Sequence, residues 1–209
     1  TATLQQEASR KLGLGTKQTM SVAQKLYEAG LITYMRTDGI DMDLEAIQES
    51  RSEIQKKYGK QYVPEKPRFY KNKARNAQEA HECIRPTNLG KLPKDLKNSD
   101  DIQKKLYELI WKRTISSQMA SADIEETKVD LGPEKGQFML RATGAETVFD
   151  GFKRVYLEGV DNEKENEKES SLIALKKGEG LEINEVIPSQ HFTQPKARYT
   201  EASLVKKMV

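Results

Sequence analysis

The spacing of apolar side chains in this 209-residue chain changes near residue 122, and that change limits the fold more than any other feature. Before it, apolar residues such as Leu4, Ala8 and Leu12 recur at the period of a helix. After it, Val129 and Leu131 alternate with polar residues, as in a half-buried strand. No βαβ rhythm is visible. The pattern predicts an α+β, multi-domain chain, with a mainly helical domain followed by an antiparallel β domain.

The pattern also sets the expected domain boundaries. We expect a helical domain over residues 1–121, a β domain over 122–197 and the beginning of a further helical domain over 198–209. Because the last helical pattern stops at Val209 without a terminator, we expect the chain to be part of a longer protein. Strand patterns are predicted around residues 127–131, 138–142, 148–157, 172–175 and 181–187.

Glycines mark the ends of the first two predicted helices. The first closes at Gly13, and the second covers about 19–29 and stops at Gly30. The apolar, partly β-branched segment 31–35 then predicts a strand. Helix, turn, helix and strand is the order of a helix-turn-helix with a wing, so we expect a winged-helix-like domain. Two packed helices that lead into any strand fit the same periodicity.

Capping residues predict two more helices. Asp43 precedes a helical pattern that Gly59 closes, and Asp100 with Gln103 forms a capping box before a long helix. A short helix is expected over 77–84. The long helix is expected to turn these side chains inward: Ile102, Leu106, Leu109, Ile110 and Met119.

Composition excludes several classes of protein. No apolar run approaches the ~18 residues of a membrane span, and the first residues show no secretory signal. A single cysteine, Cys83, excludes an internal disulfide framework and a cysteine-based zinc site, and it fits a reducing compartment. With only two histidines, a His-rich metal site is not expected either.

Positive charge is concentrated in one segment. The net charge of the chain is only +3, but residues 66–98 hold nine Lys and Arg against three acidic residues. Phe69 and Tyr70 lie in the same segment. Such a stretch suits contacts with nucleic-acid phosphates. A solvated basic loop would have the same composition.

Tyr34 and Arg36 are the first candidates for chemistry. They are two residues apart in a predicted strand, so their side chains should share a face. A tyrosine hydroxyl, with a pKa of about 10, is a poor nucleophile unless a cation and an anionic target lie near. The Arg36 guanidinium could be that cation beside a phosphodiester. A core or cross-strand tyrosine is the structural alternative.

His81 is the second candidate. It is flanked by acidic residues at the end of the helix predicted over 77–84. A histidine there could donate to a phosphate oxygen or position the attacked group. A capping or solvent-facing histidine fits the same spacing.

Residues 41–45 have the D-x-D-x-E spacing of many magnesium sites. A metal-binding acidic pair usually follows a buried strand, whereas here a turn precedes the acids and a helix follows them. Acidic residues in a first helical turn favour the macrodipole and need no metal. We therefore predict that Asp41, Asp43 and Glu45 are structural and that the chain holds no metal site.

Arg198 and Thr200 surround the start of the last helix. Backbone amides at that helix terminus, together with Arg198, could hold a phosphate. An ordinary capped helix with a basic flank is an equal alternative.

Three motifs together resemble the bacterial type IA DNA topoisomerases. Residues 32–38 read ITYMRTD and look like the active-site tyrosine motif of that family. Residues 78–82 (QEAHE) with 84–86 (IRP) look like its second signature, and 199–205 (YTEASLV) resembles a third. The motifs occur in the expected order over nearly the whole chain, so the resemblance is specific.

The resemblance implies a function for each candidate. Tyr34 would be the nucleophile, Arg36 its phosphate-binding partner, and His81 would assist near the scissile phosphate. Arg198 and Thr200 would bind DNA. The implied activity is relaxation of negatively supercoiled DNA, by transient cleavage of one strand through a 5′-phosphotyrosine, strand passage and religation without ATP. The implied partner is DNA in single-stranded segments, and the implied location is the bacterial cytoplasm, at the nucleoid.

The resemblance also implies a magnesium ion held by an acidic Toprim domain. Nothing in this chain resembles that domain, so Mg²⁺ ligands are expected outside the chain, and the chain alone is expected to be inactive. Part of the β domain is likewise expected from elsewhere in the protein.

Two other functions remain open at the level of sequence. A winged-helix nucleic-acid-binding module, in which Tyr34 only packs, would have the same helical pattern. A tyrosine recombinase also uses Arg, His and Tyr, but the second arginine cluster is missing and the tyrosine comes too early in the chain.

Overall fold

A computed structural model describes residues 1–70, 82–133, 139–159, 172, 175–195 and 197–208. Within these residues, the predicted α+β class is confirmed by five helices and one two-stranded antiparallel sheet. The elements are α1 (Ala2–Leu12), α2 (Thr16–Glu28), α3 (Leu44–Tyr58), α4 (Asp101–Ser117), β1 (Asp123–Leu131), β2 (Leu140–Phe149) and α5 (Glu201–Met208). Short 3₁₀ turns cover Lys60–Tyr62, Pro93–Asp95 and Gly151–Arg154.

Local signals determine where the helices begin and end. Helix α1 ends at Gly13, whose φ of 66° lies in the left-handed region that glycine adopts without strain. The Asp43 carboxylate accepts from the Glu45 N–H at the start of α3, at 2.9 Å. Asp100 and Gln103 form the expected capping box before α4. Helix α2 begins three residues earlier than predicted, after Gly15.

The core lies among the first four helices and the loop after Pro86. The Trp111 indole donates to the Leu89 carbonyl at 2.9 Å, so its polar atom is satisfied inside the core. Ile102 is partly exposed, contrary to prediction, because it lies in the first turn of α4, at the rim of the core. The largest fully buried apolar side chains are Leu26, Ile32, Met35, Ile47, Ile54, Leu89, Leu106, Tyr107, Ile115 and Met119.

Strands β1 and β2 form a hairpin that projects from the helical part. Their pairing is antiparallel, with Thr127 opposite Gly144, and most of their side chains are exposed. The base of the hairpin is attached to the helices, since the Tyr62 hydroxyl donates to Asp150 at 2.7 Å and the Phe152 N–H donates to the Ala120 carbonyl at 2.9 Å.

The strand predicted over 31–35 is wrong as a regular strand. The segment forms one isolated bridge, between Ile32 and Pro86. The bridge consists of two hydrogen bonds, from the Thr33 N–H to the Arg85 carbonyl at 2.9 Å and from the Thr87 N–H to the Leu31 carbonyl at 3.1 Å, and it extends no further because the chain bends at Met35 and Arg36. The Met35 carbonyl instead accepts from the Thr1 hydroxyl at 2.8 Å.

The later strand predictions are also corrected. β2 ends at Phe149, and Gly151, at φ 50°, turns the chain into a 3₁₀ helix instead of continuing the strand to residue 157. Residues 181–187 are exposed and unpaired among the described residues, and a strand needs a partner to satisfy its backbone. The prediction for 172–175 falls partly outside the described residues.

The short helix predicted over 77–84 lies mostly outside the described residues, and residues 82–84 are not helical. The domain boundaries at 121/122 and 197/198 remain predictions. In the part of the chain that the structure describes, no helix has the length and apolar character needed to cross a membrane.

Candidate active site

Tyr34, Arg36 and Asp38 are exposed on a segment whose intervening side chains are buried. Met35 and Thr37 point into the protein, so exposure alternates from residue 34 to 38. The backbone nevertheless bends at Met35 and Arg36 and forms no sheet, so this alternation is not that of a regular strand. Tyr34 and Arg36 are both exposed to solvent, and their predicted shared face remains a prediction.

Side-chain hydroxyls hold this segment from both sides. The Thr1 hydroxyl donates to the Met35 carbonyl and accepts from the Thr37 N–H, at 2.8 and 2.9 Å. On the other side, the Thr33 hydroxyl donates to the Cys83 carbonyl at 2.7 Å, and the Thr33 N–H donates to the Arg85 carbonyl at 2.9 Å. These contacts fix the direction of the residues between them.

The Tyr34 ring is 40% exposed, so it is not a core tyrosine. One edge packs against the Tyr27 ring, with centroids 5.3 Å apart and planes at 68°. This edge-to-face contact orients the ring. It leaves Tyr34 partly open to an incoming ligand.

Arg36 lines a cleft of about 1250 Å³ between α1, α4 and the segments around residues 38–42 and 68–70. Among the described residues, no carboxylate pairs with its guanidinium. Asp38 lines the same cleft. An exposed guanidinium without an ionic partner can bind a phosphate bidentately.

The second motif packs beside the tyrosine segment. His81 itself lies outside the described residues, but its neighbour Glu82 accepts from the Asp43 N–H at 2.8 Å and from Arg85 Nε at 2.7 Å. Burial, the largest cause, and the neighbouring Glu82 raise the pKa of the Cys83 thiol to about 11. A thiol in that state is protonated and unreactive at neutral pH.

Asp43 has a structural role, since its carboxylate caps α3. Asp41 contributes its carbonyl to the Cys83 N–H at 2.8 Å. In the described ranges, no three His, Cys, Asp or Glu side chains converge in a way that could hold a metal ion.

Arg198 and Thr200 lie at the start of α5 and are both exposed. The Thr200 hydroxyl accepts from the Ser203 N–H at 3.1 Å, as the predicted cap. Helix α5 packs against α1, and Glu201 accepts from the Thr16 N–H at 2.8 Å. Tyr34, Arg198 and Thr200 are not among the described residues that line the Arg36 cleft, so the structure does not bring all the predicted site residues together.

Comparison with known proteins gives the family. A family model described as DNA topoisomerase matches residues 1–209. The chain belongs to the DNA topoisomerase family.

Relatives of known name agree with this assignment. The chain is 51% identical over 219 residues to DNA topoisomerase 1 of Rickettsia bellii, covering 100% of this chain and 27% of that protein. It is 53% identical over 212 residues to DNA topoisomerase 1 of Zymomonas mobilis, covering 100% of this chain and 17% of that protein. The chain therefore spans about a quarter or less of these curated relatives.

A solved structure also matches the whole chain. It is the full-length topoisomerase I from Thermotoga maritima, with a TM-score of 0.78 and 37% identity, covering 100% of this chain and 33% of that one. The resemblance inferred from the three motifs is thus confirmed as a type IA topoisomerase family relationship.

The topoisomerase motifs pointed to Tyr34 and Arg36 as candidates, but they did not predict the hydrogen bonds that hold the segment around them. The ties from Thr1, Thr33 and Glu82 join residues 34 to 52 positions apart, and no periodicity signals such contacts. The buried carboxylate of Glu7 was also missed. Its one signal was an acidic residue beside Ala8 on the inward face of α1.

Proposed function

We propose that this chain is the tyrosine-bearing part of a longer bacterial enzyme that relaxes negatively supercoiled DNA. In this proposal the enzyme cleaves one strand through a 5′-phosphotyrosine on Tyr34, passes a strand through the break and reseals it. The observation that carries the proposal is that Tyr34 and Arg36 are both exposed, in a segment held by hydroxyl contacts on both sides, in a chain of the topoisomerase family.

The cleavage step follows from the chemistry of the two side chains. The Tyr34 phenolic oxygen attacks the phosphorus, loses its proton and forms a P–O bond, while the bond to the 3′ oxygen of the neighbouring nucleotide breaks. The leaving oxygen takes up a proton and becomes a 3′-hydroxyl. The guanidinium of Arg36 stabilises the charge that builds up on the non-bridging oxygens.

Resealing is the reverse reaction. The 3′-hydroxyl attacks the phosphotyrosine, restores the phosphodiester and releases Tyr34. Two transesterifications conserve the number of phosphate ester bonds, so the reaction needs no ATP.

The other predicted residues have supporting roles in this proposal. His81 would donate to a phosphate oxygen beside Tyr34, and the residues that follow it are tied nearby, since the Cys83 carbonyl accepts from the Thr33 hydroxyl and Glu82 accepts from the Asp43 N–H. Arg198 and Thr200 would bind the DNA backbone at the start of α5. We propose that the DNA is single-stranded where it binds, and that the enzyme acts in the cytoplasm, at the nucleoid.

A magnesium ion is part of the family's implied chemistry. The described residues do not fit such an ion, because the acidic group nearest to the required spacing, at residues 41–45, includes the helix cap Asp43. Any ligands for the ion would come from outside this chain. We derive no step through it.

The test uses the complete enzyme and the tyrosine pair. Tyr34→Phe removes one hydroxyl, and we expect it to abolish both relaxation and the covalent DNA adduct while the protein still folds. Tyr27→Phe is the matched control, because its ring is also 40% exposed and packs against Tyr34. It should retain both activities.

The adduct itself locates the chemistry. Denaturing gels of trapped complexes, followed by peptide mapping, should place the DNA on Tyr34 through a 5′ phosphate. Continued relaxation by the Phe variant, or an adduct on the 3′ phosphate, would contradict the proposal.

A further inference from the structure

Two adjacent aromatic rings stand exposed at the cleft that Arg36 lines. Phe69 is 67% exposed and Tyr70 is 45% exposed, and both line this cleft. An exposed aromatic ring offers a face on which another ring can stack. Tyr107 and Trp111, by contrast, are buried in the core.

The backbone that carries these rings is rigidly held. The side-chain amide of Gln118, which is 1% exposed, accepts from the Arg68 N–H at 3.2 Å and donates to the Arg68 carbonyl at 3.0 Å. Arg68 also donates to the Met119 carbonyl at 2.9 Å. The Tyr70 hydroxyl donates to the Ser117 carbonyl at 2.7 Å. A ring held in this way loses little entropy when a ligand stacks on it.

The charges of the cleft suit a phosphate backbone beside these rings. Among the described residues, the side chains of Arg36 and Lys153 line the cleft with no ionic partner. Four described acidic residues line the cleft as well: Glu7, Asp38, Asp41 and Glu158. Asp38 interacts electrostatically with the Thr1 ammonium, and two of the others are paired. Glu158 pairs with Arg113 at 2.7 Å, and Glu7 pairs with Lys11 at 3.1 Å.

Cations for phosphates and exposed rings for bases are the two components of a site for single-stranded nucleic acid. In a duplex the faces of the bases are stacked on one another and cannot reach a protein ring. The cleft therefore suits an unpaired strand better than a double helix.

We propose that Phe69, with Tyr70 beside it, forms a stacking platform for a base of single-stranded DNA whose backbone reaches Arg36. This inference rests on the proposed function, since it takes DNA as the ligand. It adds a binding contact that the topoisomerase motifs do not include.

The experiment measures binding of the complete enzyme to a labelled single-stranded oligonucleotide over a series of salt concentrations. We expect Phe69→Ala to weaken binding about tenfold without changing the slope of log K against log salt, because stacking releases no counterions. Arg36→Ala should instead reduce that slope by about one. Phe192→Ala is the matched control, because Phe192 is 75% exposed outside this cleft, and it should bind normally.

Phe69→Trp gives a direct readout. It should retain affinity, and the indole emission that it adds to the wild-type spectrum should be quenched when the oligonucleotide binds. Wild-type affinity in Phe69→Ala would overturn the inference. So would an added emission that is blue-shifted and shielded from acrylamide before DNA is present, since another part of the enzyme would then cover the ring. These outcomes are separate from the Tyr34 adduct, whose absence in the wild-type enzyme would count against the proposed function alone.

Discussion

The guanidinium of Arg36 is exposed beside Tyr34, and none of the described carboxylates pairs with it. We expect Arg36→Ala to lower the cleavage rate much more than the affinity for DNA. Binding loses one phosphate contact of many, whereas the transition state loses its nearest cation, and an electrostatic donor of this kind contributes about 10²–10³-fold in rate. Single-turnover cleavage and oligonucleotide binding, measured on the same protein, check this.

Arg36→Lys separates charge from geometry. Lysine keeps the positive charge but cannot make the bidentate contact, so we expect partial rescue of cleavage and full rescue of binding. Equal losses of cleavage and binding in the Ala variant would mean that Arg36 contributes to DNA binding but not to stabilisation of the transition state.

The sequence motif was sufficient to propose Tyr34 and Arg36 as site residues, but it did not predict the hydrogen bonds that hold their segment in place. The two-residue spacing from Tyr34 to Arg36 predicted a shared face, and the structure shows that both residues are exposed. The hydroxyl ties from Thr1 and Thr33 depend on where distant segments pack, so they have no signature in the local sequence.

Among the elements, Glu7 joins α1 to the segment after the hairpin. Its buried carboxylate accepts from the Tyr156 hydroxyl and, at 3.1 Å, from the Gly159 N–H. Burial raises the pKa of a carboxyl, but the hydrogen bonds and the charge of Lys11 outweigh it, and the pKa of Glu7 lies below its ordinary value. The ionised form therefore stabilises the fold.

We expect Glu7→Gln to lower the free energy of unfolding at pH 7 by about 2 kcal/mol. A depressed pKa contributes stability above the unfolded-state value of about 4.3, and that contribution is lost as pH falls through the lower folded value. The gap between wild type and variant should therefore narrow below about pH 4. Denaturant unfolding at about pH 7 and about pH 3 measures it.

Glu108→Gln is the control for this substitution. Glu108 pairs with Lys112 at 2.7 Å, but both side chains are about half exposed. Its loss should cost no more than about 0.5 kcal/mol. A gap for Glu7→Gln that stays constant between the two pH values would show that the charge of Glu7 is not what stabilises this contact.

The base of the hairpin depends on Gly151. Its φ is 50°, and a Cβ there would lie 2.3 Å from the Ser121 carbonyl oxygen. We expect Gly151→Ala to cost at least about 3 kcal/mol of stability. Gly178→Ala, at φ 83° with nothing within 4 Å, should cost only about 1 kcal/mol, and comparing their unfolding transitions isolates the clash.

Helices and strands differed in how far the sequence could predict them. The caps at Asp43 and Asp100 are bonds between neighbours, and both helices begin where these residues predict. Strands need a partner elsewhere in the chain. The alternating pattern at 181–187 has none among the described residues, while β1 and β2 have each other.

For the whole molecule, the length of the chain relative to its relatives bears on activity. Its own helices pack around a core, and the chain matches the Thermotoga maritima enzyme over its full length with a TM-score of 0.78 while covering only 33% of that protein. The chain therefore contains its own apolar core but only part of the length of that enzyme.

We expect the isolated 209-residue chain to fold but not to cleave DNA. Helices α1–α4 bury a continuous apolar core, so a cooperative unfolding transition should be measurable by circular dichroism. In-line displacement needs both the developing charge and the leaving oxygen stabilised, and among the described residues the Tyr34 face offers Arg36 alone.

The assay mixes the purified chain with supercoiled plasmid and a labelled single strand, with and without magnesium. We expect weak binding that falls steeply with salt, through Arg36, Lys153 and the basic segment 66–98, and no nicking under either condition. If magnesium produced nicks or a covalent adduct, the chain would hold a complete active site. Asp41, Asp43 and Glu45 would then be the first residues to substitute, because the Asp43 carboxylate would have to bind magnesium and not only cap α3.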